Sequence, residues 1–352
     1  MTGERIAVAM SGGVDSSVAA LLLREMGYQL VGLTMKVWDD ASRCCSLEDA
    51  MDAKRVCAQL DIPHYTVNLR EDFGREVVEY FVSEYLGART PNPCVVCNRT
   101  IKFGALLRKA RELGAEFLAS GHYARASFED GRWLLRQGRD KERDQSYFLA
   151  MLTQDSLAEA KFPLGEKRKE EVRRIAEQAG LAVARKEESQ EVCFIRNGGC
   201  GEFVSRWAGV KVERGAVVTE TGKRVGTHNG LPNYTIGQRR LLGLALGRPQ
   251  YVIAMDRESN TITIGDEEAL YSNRFLASSP NWIVHPSLSR ELEADVKIRY
   301  RHVPSEAKLK LLGDRVLVEF KSAQRAVTPG QLAVFYHGDV VLGGAWIEKS
   351  LS

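Results

Sequence analysis

The chain has 352 residues, of which 44% are hydrophobic and 27% are charged. These values are typical of a folded protein with two or three domains, and they exclude disordered, collagen-like and disulfide-scaffold proteins. No apolar run approaches the ~20 residues that a membrane-spanning helix requires, so we expect no membrane association. The 49 basic and 46 acidic residues give a net charge of +3, which neither requires nor excludes a nucleic-acid partner.

The sequence contains seven cysteines and begins with a strand-like segment instead of a signal-peptide pattern. In a chain of this size, such cysteines indicate reduced thiols, metal ligands or catalytic groups. We therefore expect a cytoplasmic protein.

Strand-like and helix-like segments alternate over the first third of the chain. Apolar runs predict strands at 5–10, 30–38, 64–69 and 116–120. Helical spacing, with a capping-box-like start at Ser46, predicts helices at 14–27, 46–60, 71–86 and 100–113. Pro91 and Pro93 predict a loop over 88–98. This alternation favours βαβ crossovers, and therefore an α/β fold with a parallel sheet covered on both faces.

Near residue 205 the helical periodicity gives way to short strands and glycine turns. The segment from Ala294 to Arg301 alternates apolar and charged residues, which predicts one strand. Hairpin signals at Gly313-Asp314 and Gly338-Asp339 predict a small antiparallel β-barrel or sandwich at the C-terminal end. We therefore predict three domains, over 1–204, 205–277 and 278–352.

The strongest chemical signal is the sequence Ser-Gly-Gly-Val-Asp-Ser-Ser at 11–17, between the first strand and the first helix. The two glycines allow backbone amides to approach an anion, and the helix N-terminus adds free N–H groups. Serine hydroxyls supply further donors, and Asp15 can hold a Mg²⁺ ion. The motif is not a Walker A loop, because no Gly-Lys-Ser/Thr follows. The alternative interpretation is an ordinary serine-capped helix after a glycine turn.

This motif resembles the pyrophosphate loop of the N-type ATP pyrophosphatases, which cleave ATP to AMP and pyrophosphate to activate a substrate oxygen. Within that superfamily, Thr90–Asn98 and Ile101–Gly104 resemble the first cysteine motif of the tRNA-specific 2-thiouridylases. Later motifs are similar in the same order, at Ser120–Tyr123, Asp144–Leu149, Val192–Ile195, Thr235–Arg239, Arg299–Arg301 and Thr328–Gln331. The resemblance therefore covers the whole chain.

The resemblance implies an adenine nucleotide alpha hydrolase-like catalytic domain, a small central domain and a tRNA-binding barrel. ATP would be bound by Ala9, Met10, Ser11, Gly12, Gly13, Val14, Asp15 and Ser16, with Met35 and Gly121 lining the adenosine pocket. The family's tRNA-contacting positions correspond to His122, Arg143, Asp144, Gln145, Arg299, Tyr300 and Gln331. Cys97 corresponds to the nucleophile, and Cys193 to the cysteine that carries a persulfide.

The reaction that this resemblance implies is 2-thiolation of the wobble uridine of tRNA. Because a uracil carbonyl is a poor electrophile, adenylation of its oxygen provides a leaving group for attack by a persulfide sulfur. A second thiol can then release the product and form a disulfide with the first. To enter the pocket, the wobble base must leave the base stack of the tRNA. The sulfur would come from a persulfide donor such as a cysteine desulfurase or a relay protein.

One position departs from the family pattern. Well-studied members carry aspartate where this chain has Cys94, so the motif here is Cys-x-x-Cys. Other tRNA thiolases of the superfamily hold a 4Fe–4S cluster on such a pair and one distant cysteine, which Cys94, Cys97 and Cys193 would match. The persulfide route needs only Cys97 and Cys193. The motif leaves both routes open, with a structural zinc site as a third interpretation.

Several of these residues also have ordinary structural interpretations. His122 is compatible with a buried histidine, Asp144 with a helix cap and Arg299 with a solvated charge. The remaining cysteines favour loop or core roles: solvated loop residues at Cys44 and Cys45, a buried small residue at Cys57, and no assigned role at Cys200.

We expect Cys97 and Cys193 on facing loops, with a mobile segment over 187–201 that carries Cys193 towards Cys97. Two rival functions remain. Another ATP pyrophosphatase, such as a nucleobase amidotransferase, is disfavoured by the paired thiols and the missing glutaminase domain. A non-catalytic RNA-binding module with a structural metal would retain the basic strand but would not turn over ATP.

Overall fold

The computed structural model describes residues 4–38, 47–187, 192–195, 199–239, 249–284 and 291–351. The first 200 residues contribute seven strands: β1 (Arg5–Ala9), β2 (Gln29–Lys36), β3 (His64–Asn68), β4 (Phe117–Ala119), β5 (Ala124–Glu129), β6 (Arg132–Gln137) and β7 (Ala160–Lys161). Five of them form a parallel sheet in the order β3-β2-β1-β4-β7. In the central strand β1, Ile6, Ala7 and Val8 are fully buried because helices cover both faces. The predicted parallel sheet is confirmed.

The helices of this domain are α1 (Val14–Glu25), α2 (Leu47–Gln59), a contiguous run α3 (Arg70–Phe73, Gly74–Val78 and Glu79–Leu86), a second run α4 (Pro93–Val96, Cys97–Leu106 and Leu107–Glu112), α5 (Gln154–Ala158), α6 (Lys169–Gln178) and α7 (Gly199–Ala208). A short 3₁₀ turn spans Ser146–Leu149. The predicted loop over 88–98 is wrong from Pro93 onward, because this proline occupies the first turn of α4. Proline is tolerated there since the first helical N–H groups have no intrahelical acceptor.

A small mixed sheet follows α7. It contains β8 (Gly215–Thr219), β9 (Arg224–His228), β10 (Tyr251–Asp256) and β11 (Thr261–Gly265), in the order β10-β11-β8-β9. Short 3₁₀ turns lie at Leu231–Asn233 and Glu267–Leu270. The small core of this unit includes Val217, Val252, Ile262 and Ile264.

Six strands form the C-terminal barrel: β12 (Tyr271–Trp282), β13 (Glu291–Lys297), β14 (Ser305–Leu312), β15 (Arg315–Arg325), β16 (Leu332–His337) and β17 (Val340–Leu351). Every neighbouring pair is antiparallel, and pairing of β12 with β17 closes the barrel, as predicted. The predicted strand from Ala294 to Arg301 is too long, because β13 ends at Lys297 and the residues after it turn away.

The barrel is joined to the first domain by both strands and side chains. The β5–β6 hairpin pairs with β17, with Leu135 opposite Val341. Asp339 of the barrel accepts from Arg125 at 2.6 Å and from Arg136 at 2.8 Å. One hydrophobic cluster contains residues of both parts, including Leu149, Leu332 and Tyr336. None of the helices in the described ranges is long and apolar enough to cross a membrane.

Candidate active site

The phosphate-loop candidate lies at the carboxyl end of β1, where open parallel sheets commonly bind ligands. Gly12 has φ +71°, and a Cβ on it would come within 2.2 Å of the Asp49 carbonyl oxygen, so only glycine fits. The Ser16 and Ser17 hydroxyls donate to the Gly13 carbonyl at 3.1 and 2.8 Å. The helix α1 begins at Val14, as its helical spacing predicts, so Asp15, Ser16 and Ser17 lie in its first turn and not in the loop before it.

Asp15, in the first turn of α1, is held by two residues from distant parts of the chain. Lys169 Nζ lies 2.8 and 2.9 Å from its two carboxylate oxygens, and the Tyr123 hydroxyl donates to Oδ1 at 2.8 Å. The Lys169 side chain is only 8% exposed, against 28% for Asp15. Sequence reasoning missed Lys169, since a lysine that begins a helix carries no local signal of a partner 154 residues earlier.

This pairing bears directly on the predicted Mg²⁺ site. Both Asp15 oxygens accept from the Lys169 ammonium, but the carboxylate is 28% exposed and keeps a lone pair that a metal ion could use, so Mg²⁺ binding at Asp15 stays a prediction. Lys169 adds a positive charge beside the loop. Together with the N-terminus of α1, this ammonium favours binding of an anion such as a phosphate.

The segment after β4 packs against the first turn of α1. A Cβ on Gly121 would lie 2.7 Å from the Asp15 carbonyl carbon and from the Ser16 nitrogen, so glycine is required for this approach. Met35 is half-buried at the carboxyl end of β2, on the same sheet edge. These positions are compatible with the predicted adenosine pocket, which stays a prediction.

His122 is buried among aromatic rings. Its Nδ1 lies 2.7 Å from the Ser120 hydroxyl, and its ring contacts Phe103 and Phe162. Burial, and secondly the nearby Lys102 charge, lower the pKa of His122 well below its usual value. The imidazole is therefore neutral at pH 7, and the buried structural interpretation fits its surroundings. Its contact with tRNA stays a prediction.

The two thiols of the Cys-x-x-Cys motif lie on a helix, contrary to the predicted loop. Cys94 is exposed in the first turn of α4, and Cys97 is half-buried one turn later, where wider π-type hydrogen bonding begins. Position near a helix N-terminus favours the thiolate form of a cysteine. Cys97 also packs against the large hydrophobic cluster of the first domain.

Cys193 lies in a short turn whose next residue is anchored in an aromatic cluster. The Phe194 ring lies 5.1 Å from Phe81, 5.2 Å from Phe203 and 5.6 Å from Phe73. Of the segment predicted to be mobile, 188–191 and 196–198 lie outside the described residues. A loop is wrong for its last part, since Gly199, Cys200 and Gly201 begin α7, and the mobility of the segment stays a prediction.

The predicted cluster ligands are not gathered in this conformation. Over the described ranges, which include Cys94, Cys97 and Cys193, no group of three His, Cys, Asp or Glu side chains is placed to hold a metal ion. Cys57 is buried, and burial raises its pKa to about 11, which confirms the core role predicted for it. Cys44 and Cys45 lie outside the described residues.

The segment Thr90–Asn92, just before α4, is clamped by the barrel. Gln331 Nε2 donates to the carbonyls of Thr90 and Pro91, each at 3.1 Å, and the Thr90 N–H donates to the Pro329 carbonyl at 2.9 Å. The Asn92 amide donates to the Tyr147 hydroxyl, which donates in turn to the Leu332 carbonyl. Gln331 thus holds the segment Thr90–Asn92 that leads into α4. Its contact with tRNA stays a prediction.

The other predicted tRNA contacts lie where the barrel meets the 3₁₀ turn. Tyr300 packs against Phe148 with ring centroids 4.5 Å apart and a tilt of 36°, and Arg299 donates to the Arg325 carbonyl at 2.9 Å. Asp144 is buried, with its carboxylate accepting from the N–H groups of Gly138 and Ser146. Arg143 is exposed beside it and Gln145 is half-buried. The structure therefore brings these distant motifs into one region.

Family models match nearly the whole chain. A model described as a tRNA methyl transferase HUP domain matches residues 4–197, a PRC-barrel domain of the same series matches 201–266, and an aminomethyltransferase beta-barrel domain matches 252–347.

Curated relatives are similar from end to end. tRNA-specific 2-thiouridylase MnmA 1 of Caldanaerobacter subterraneus is 49% identical, over 99% of this chain and 99% of its own length. The enzymes named MnmA of Geotalea uraniireducens and Moorella thermoacetica are each 48% identical, over 99% and 97% of this chain and 96% and 99% of their own lengths.

A solved 4-thiouridine synthetase–RNA complex with bound ATP is also similar, at 19% identity over 54% of this chain and 45% of that chain, with a TM-score of 0.40. The chain belongs to the tRNA-specific 2-thiouridylase family.

Proposed function

We propose that this protein is an ATP-dependent tRNA sulfurtransferase that converts the wobble uridine of tRNA to 2-thiouridine. The observation that carries this proposal is the combination, in one domain, of a glycine loop backed by Lys169 with two half-buried cysteines, Cys97 and Cys193. The relatives named tRNA-specific 2-thiouridylases support the same reaction. We place the reaction in the cytoplasm, where tRNA and persulfide donors occur.

The first step is adenylation of the uracil oxygen at carbon 2. That oxygen attacks the α-phosphorus of ATP, an oxygen–phosphorus bond forms, and pyrophosphate leaves with the electron pair of the broken bond. Amides of Gly12 and Gly13, the serine hydroxyls and the Lys169 ammonium are the groups of this chain that would stabilise the charge on the leaving pyrophosphate. A Mg²⁺ ion would neutralise further phosphate charge when bound with ATP.

The second step transfers sulfur. The terminal sulfur of a Cys193 persulfide attacks carbon 2, and AMP leaves with the former carbonyl oxygen. The Cys97 thiolate then attacks the Cys193 sulfur, which releases 2-thiouridine and leaves a Cys97–Cys193 disulfide. An external persulfide donor reloads Cys193 only after a dithiol reductant has restored both thiols.

The three-domain division at 204 and 277 belongs to the same proposal. The first domain would cleave ATP and carry the thiols, and the barrel would bind tRNA through Arg299 and Tyr300. Arg143, Asp144, Gln145 and His122 would lie along the same tRNA path.

Two measurements test the proposal. Purified protein with ATP, tRNA and a persulfide donor should release pyrophosphate and give 2-thiouridine in nuclease digests of the tRNA. Cys97→Ser and Cys193→Ser should abolish thiolation but retain pyrophosphate release, because neither thiol is used in adenylation. Pyrophosphate release with amination or methylation of the base, and without thiolation, would contradict the proposal.

Cys94→Ala separates the persulfide route from the iron–sulfur route. If the persulfide route operates, this variant should retain thiolation, because Cys94 is exposed and only Cys97 and Cys193 react. A cluster left with two protein thiolates should be labile, so the cluster route predicts a loss as complete as in Cys97→Ala. Iron content and visible absorption of anaerobically purified protein give an independent measurement.

A further inference from the structure

The first turn of α4 places two thiols side by side. The Cys97 N–H donates to the carbonyls of both Cys94 and Pro93, so a 3₁₀-type bond joins the two cysteines across one turn of backbone. In such a turn the side chains of residues three apart lie nearly over one another, and helix geometry places their Cα atoms about 5 Å apart. This separation is within the range that a disulfide requires.

The thiols of the site differ in how well solvent reaches them. Cys94 is exposed, whereas Cys97 is half-buried against the large hydrophobic cluster of the first domain. Cys193 is half-buried against the same cluster. The Cys97–Cys193 disulfide that each turnover would leave is therefore packed against apolar side chains. A reductant that is itself a folded protein would reach Cys94 more easily than either sulfur of that disulfide.

Cys94 is also the position at which this chain departs from the family pattern. Well-studied members carry aspartate there, and the sulfur-transfer step proposed above uses only Cys97 and Cys193. An additional thiol one turn from the nucleophile thus has no task in the thiolation itself. It is available for the step that follows, in which the disulfide is opened.

We infer that Cys94 is a resolving thiol, which opens the Cys97–Cys193 disulfide after each turnover and presents the oxidised pair to an external dithiol protein. The inference rests on the persulfide route of the proposed function. The Cys94 thiolate attacks the Cys97 sulfur, so that a Cys94–Cys97 bond forms, the Cys97–Cys193 bond breaks, and Cys193 leaves as a thiolate with the electron pair. Its position in the first turn of a helix favours the thiolate that this attack needs.

The external dithiol completes the cycle. It reduces the exposed Cys94–Cys97 disulfide by giving up two electrons and two protons, and it becomes a disulfide itself. The advantage of an internal thiol is its effective concentration, which is millimolar or more, against about 10 µM for a reductant protein in solution. The internal attack is therefore about 100-fold more frequent than direct attack by the reductant.

The first test determines where the disulfide lies after one turnover. Trypsin gives one peptide, 90–99, that carries both cysteines of α4, and a second peptide, 187–196, that carries Cys193. Persulfide-loaded protein is given ATP and tRNA without reductant, and its remaining thiols are then alkylated before digestion and mass spectrometry. The wild-type disulfide should lie within 90–99, with Cys193 alkylated. In Cys94→Ala it should join the two peptides instead.

The second test measures the rate of repeated thiolation, normalised to the 2-thiouridine formed in the first turnover. With reduced thioredoxin at about 10 µM, Cys94→Ala should be slower than wild type by about 10- to 100-fold. With dithiothreitol at about 20 mM the difference should fall below about threefold, because a small reductant in excess attacks the buried disulfide directly. A merely structural defect would persist at both reductant levels.

Two further variants make the result specific. Cys94→Asp carries the family's residue but no thiol, and it should match Cys94→Ala in both tests. Cys200→Ala removes another half-buried thiol that packs against the same hydrophobic cluster, and it should behave as wild type. Slow turnover in Cys200→Ala but not in Cys94→Ala would assign the resolving step to the other thiol and overturn the inference.

The remaining outcomes distinguish the inference from the proposed function. Absence of 2-thiouridine in the first turnover of the wild-type protein would overturn the proposed function. A wild-type disulfide that joins 90–99 to 187–196, or equal rates of wild type and Cys94→Ala with scarce thioredoxin, would overturn the resolving role while the proposed function stands. Loss of the first turnover in Cys94→Ala, with iron in the purified wild-type protein, would identify Cys94 as a cluster ligand and also overturn it.

Discussion

At the residue scale, the two members of the Asp15–Lys169 ion pair differ in how far each is buried. The lysine side chain is 8% exposed and the carboxylate is 28% exposed, so water can solvate Asp15 but hardly reaches Lys169. A buried charge that loses its partner keeps its full desolvation penalty, whereas a partly exposed charge recovers hydration. The two residues should therefore respond differently to truncation, although both lie beside the same loop.

Asp15→Ala should lower the free energy of unfolding by about 2–3 kcal/mol, less than for a fully buried pair, because Lys169 is left uncompensated. Lys169→Met should cost less, because Asp15 retains its bond from Tyr123 and its contact with water. Urea denaturation of the three proteins measures this order. Both variants should lose pyrophosphate release. The reverse order of stability would show that Lys169 is better solvated than its burial indicates.

His122 gives the molecule a pH dependence with a definite sign. Burial lowers the pKa of His122, and lowers those of His64, His228 and His302 as well. Below about pH 6.5 the unfolded chain binds protons that the folded chain excludes, so stability should fall as the pH drops through that value. Each such histidine contributes a slope of up to about 1.4 kcal/mol per pH unit.

His122→Gln should reduce the slope of unfolding free energy against pH by up to about 1.4 kcal/mol per pH unit between pH 7 and pH 5, the contribution of one proton. The measurement is the unfolding free energy from urea denaturation at several pH values. His337→Gln, at an exposed position on the barrel, is the matched control for a histidine-to-glutamine replacement. A His122 variant with the wild-type slope would mean that its imidazole titrates normally in the folded protein.

At the scale of elements, α4 shows where sequence reasoning succeeds and where it stops. The strand positions and the parallel sheet follow from local apolar patterns, and those predictions are confirmed. The sequence analysis predicts a loop at Pro93, but a proline at the first helical position fixes a compatible φ and loses no hydrogen bond. The segment before this helix is held by Gln331, which lies more than 200 residues away in the sequence and donates to the Thr90 carbonyl. No local sequence pattern predicts such a distant partner.

Gln331→Ala should lower the rate of thiolation by about tenfold and leave the Kd for tRNA unchanged, because it frees the segment that positions Cys97 instead of removing a phosphate contact. Single-turnover thiolation and tRNA binding measure the two effects. Gln59→Ala is a matched control, since Gln59 also bridges two successive carbonyls, of Ala179 and Gly180, in a surface location. A weaker Kd with an unchanged rate would support direct contact of Gln331 with tRNA.

At the scale of the whole molecule, packing of the barrel against the first domain brings together motifs that are far apart in the sequence. The Tyr300 ring packs against the Phe148 ring, so the Arg299–Arg301 turn lies beside the 3₁₀ turn that follows Gln145. Alternation from Ala294 to Arg301 predicts a strand that carries Arg299 on one face, but β13 ends at Lys297, because periodicity does not reveal where a strand ends. Which motifs meet depends on domain packing, and only the family resemblance pointed to a common role for them.

Arg299→Ala should weaken tRNA binding and reduce the slope of log Kd against log salt by about one, as expected for loss of one phosphate contact. ATP binding should stay unchanged, because the residue lies on the barrel. Arg315→Ala, at the opposite end of β15 from Arg325, removes a barrel arginine paired with Glu348 and serves as the control. Normal tRNA affinity with impaired ATP binding would show that Arg299 serves the nucleotide site.

The pairing of β6 with β17 has a consequence for how the protein can be divided. Because β6 completes its hydrogen bonding on the barrel, a fragment ending near residue 204 would expose the backbone edge of this strand to water. It would also uncover apolar side chains such as Leu149 that share a core with Leu332. Unprotected strand edges of this kind promote association between chains. A fragment of residues 1–204 is therefore expected to aggregate when it is produced without the barrel.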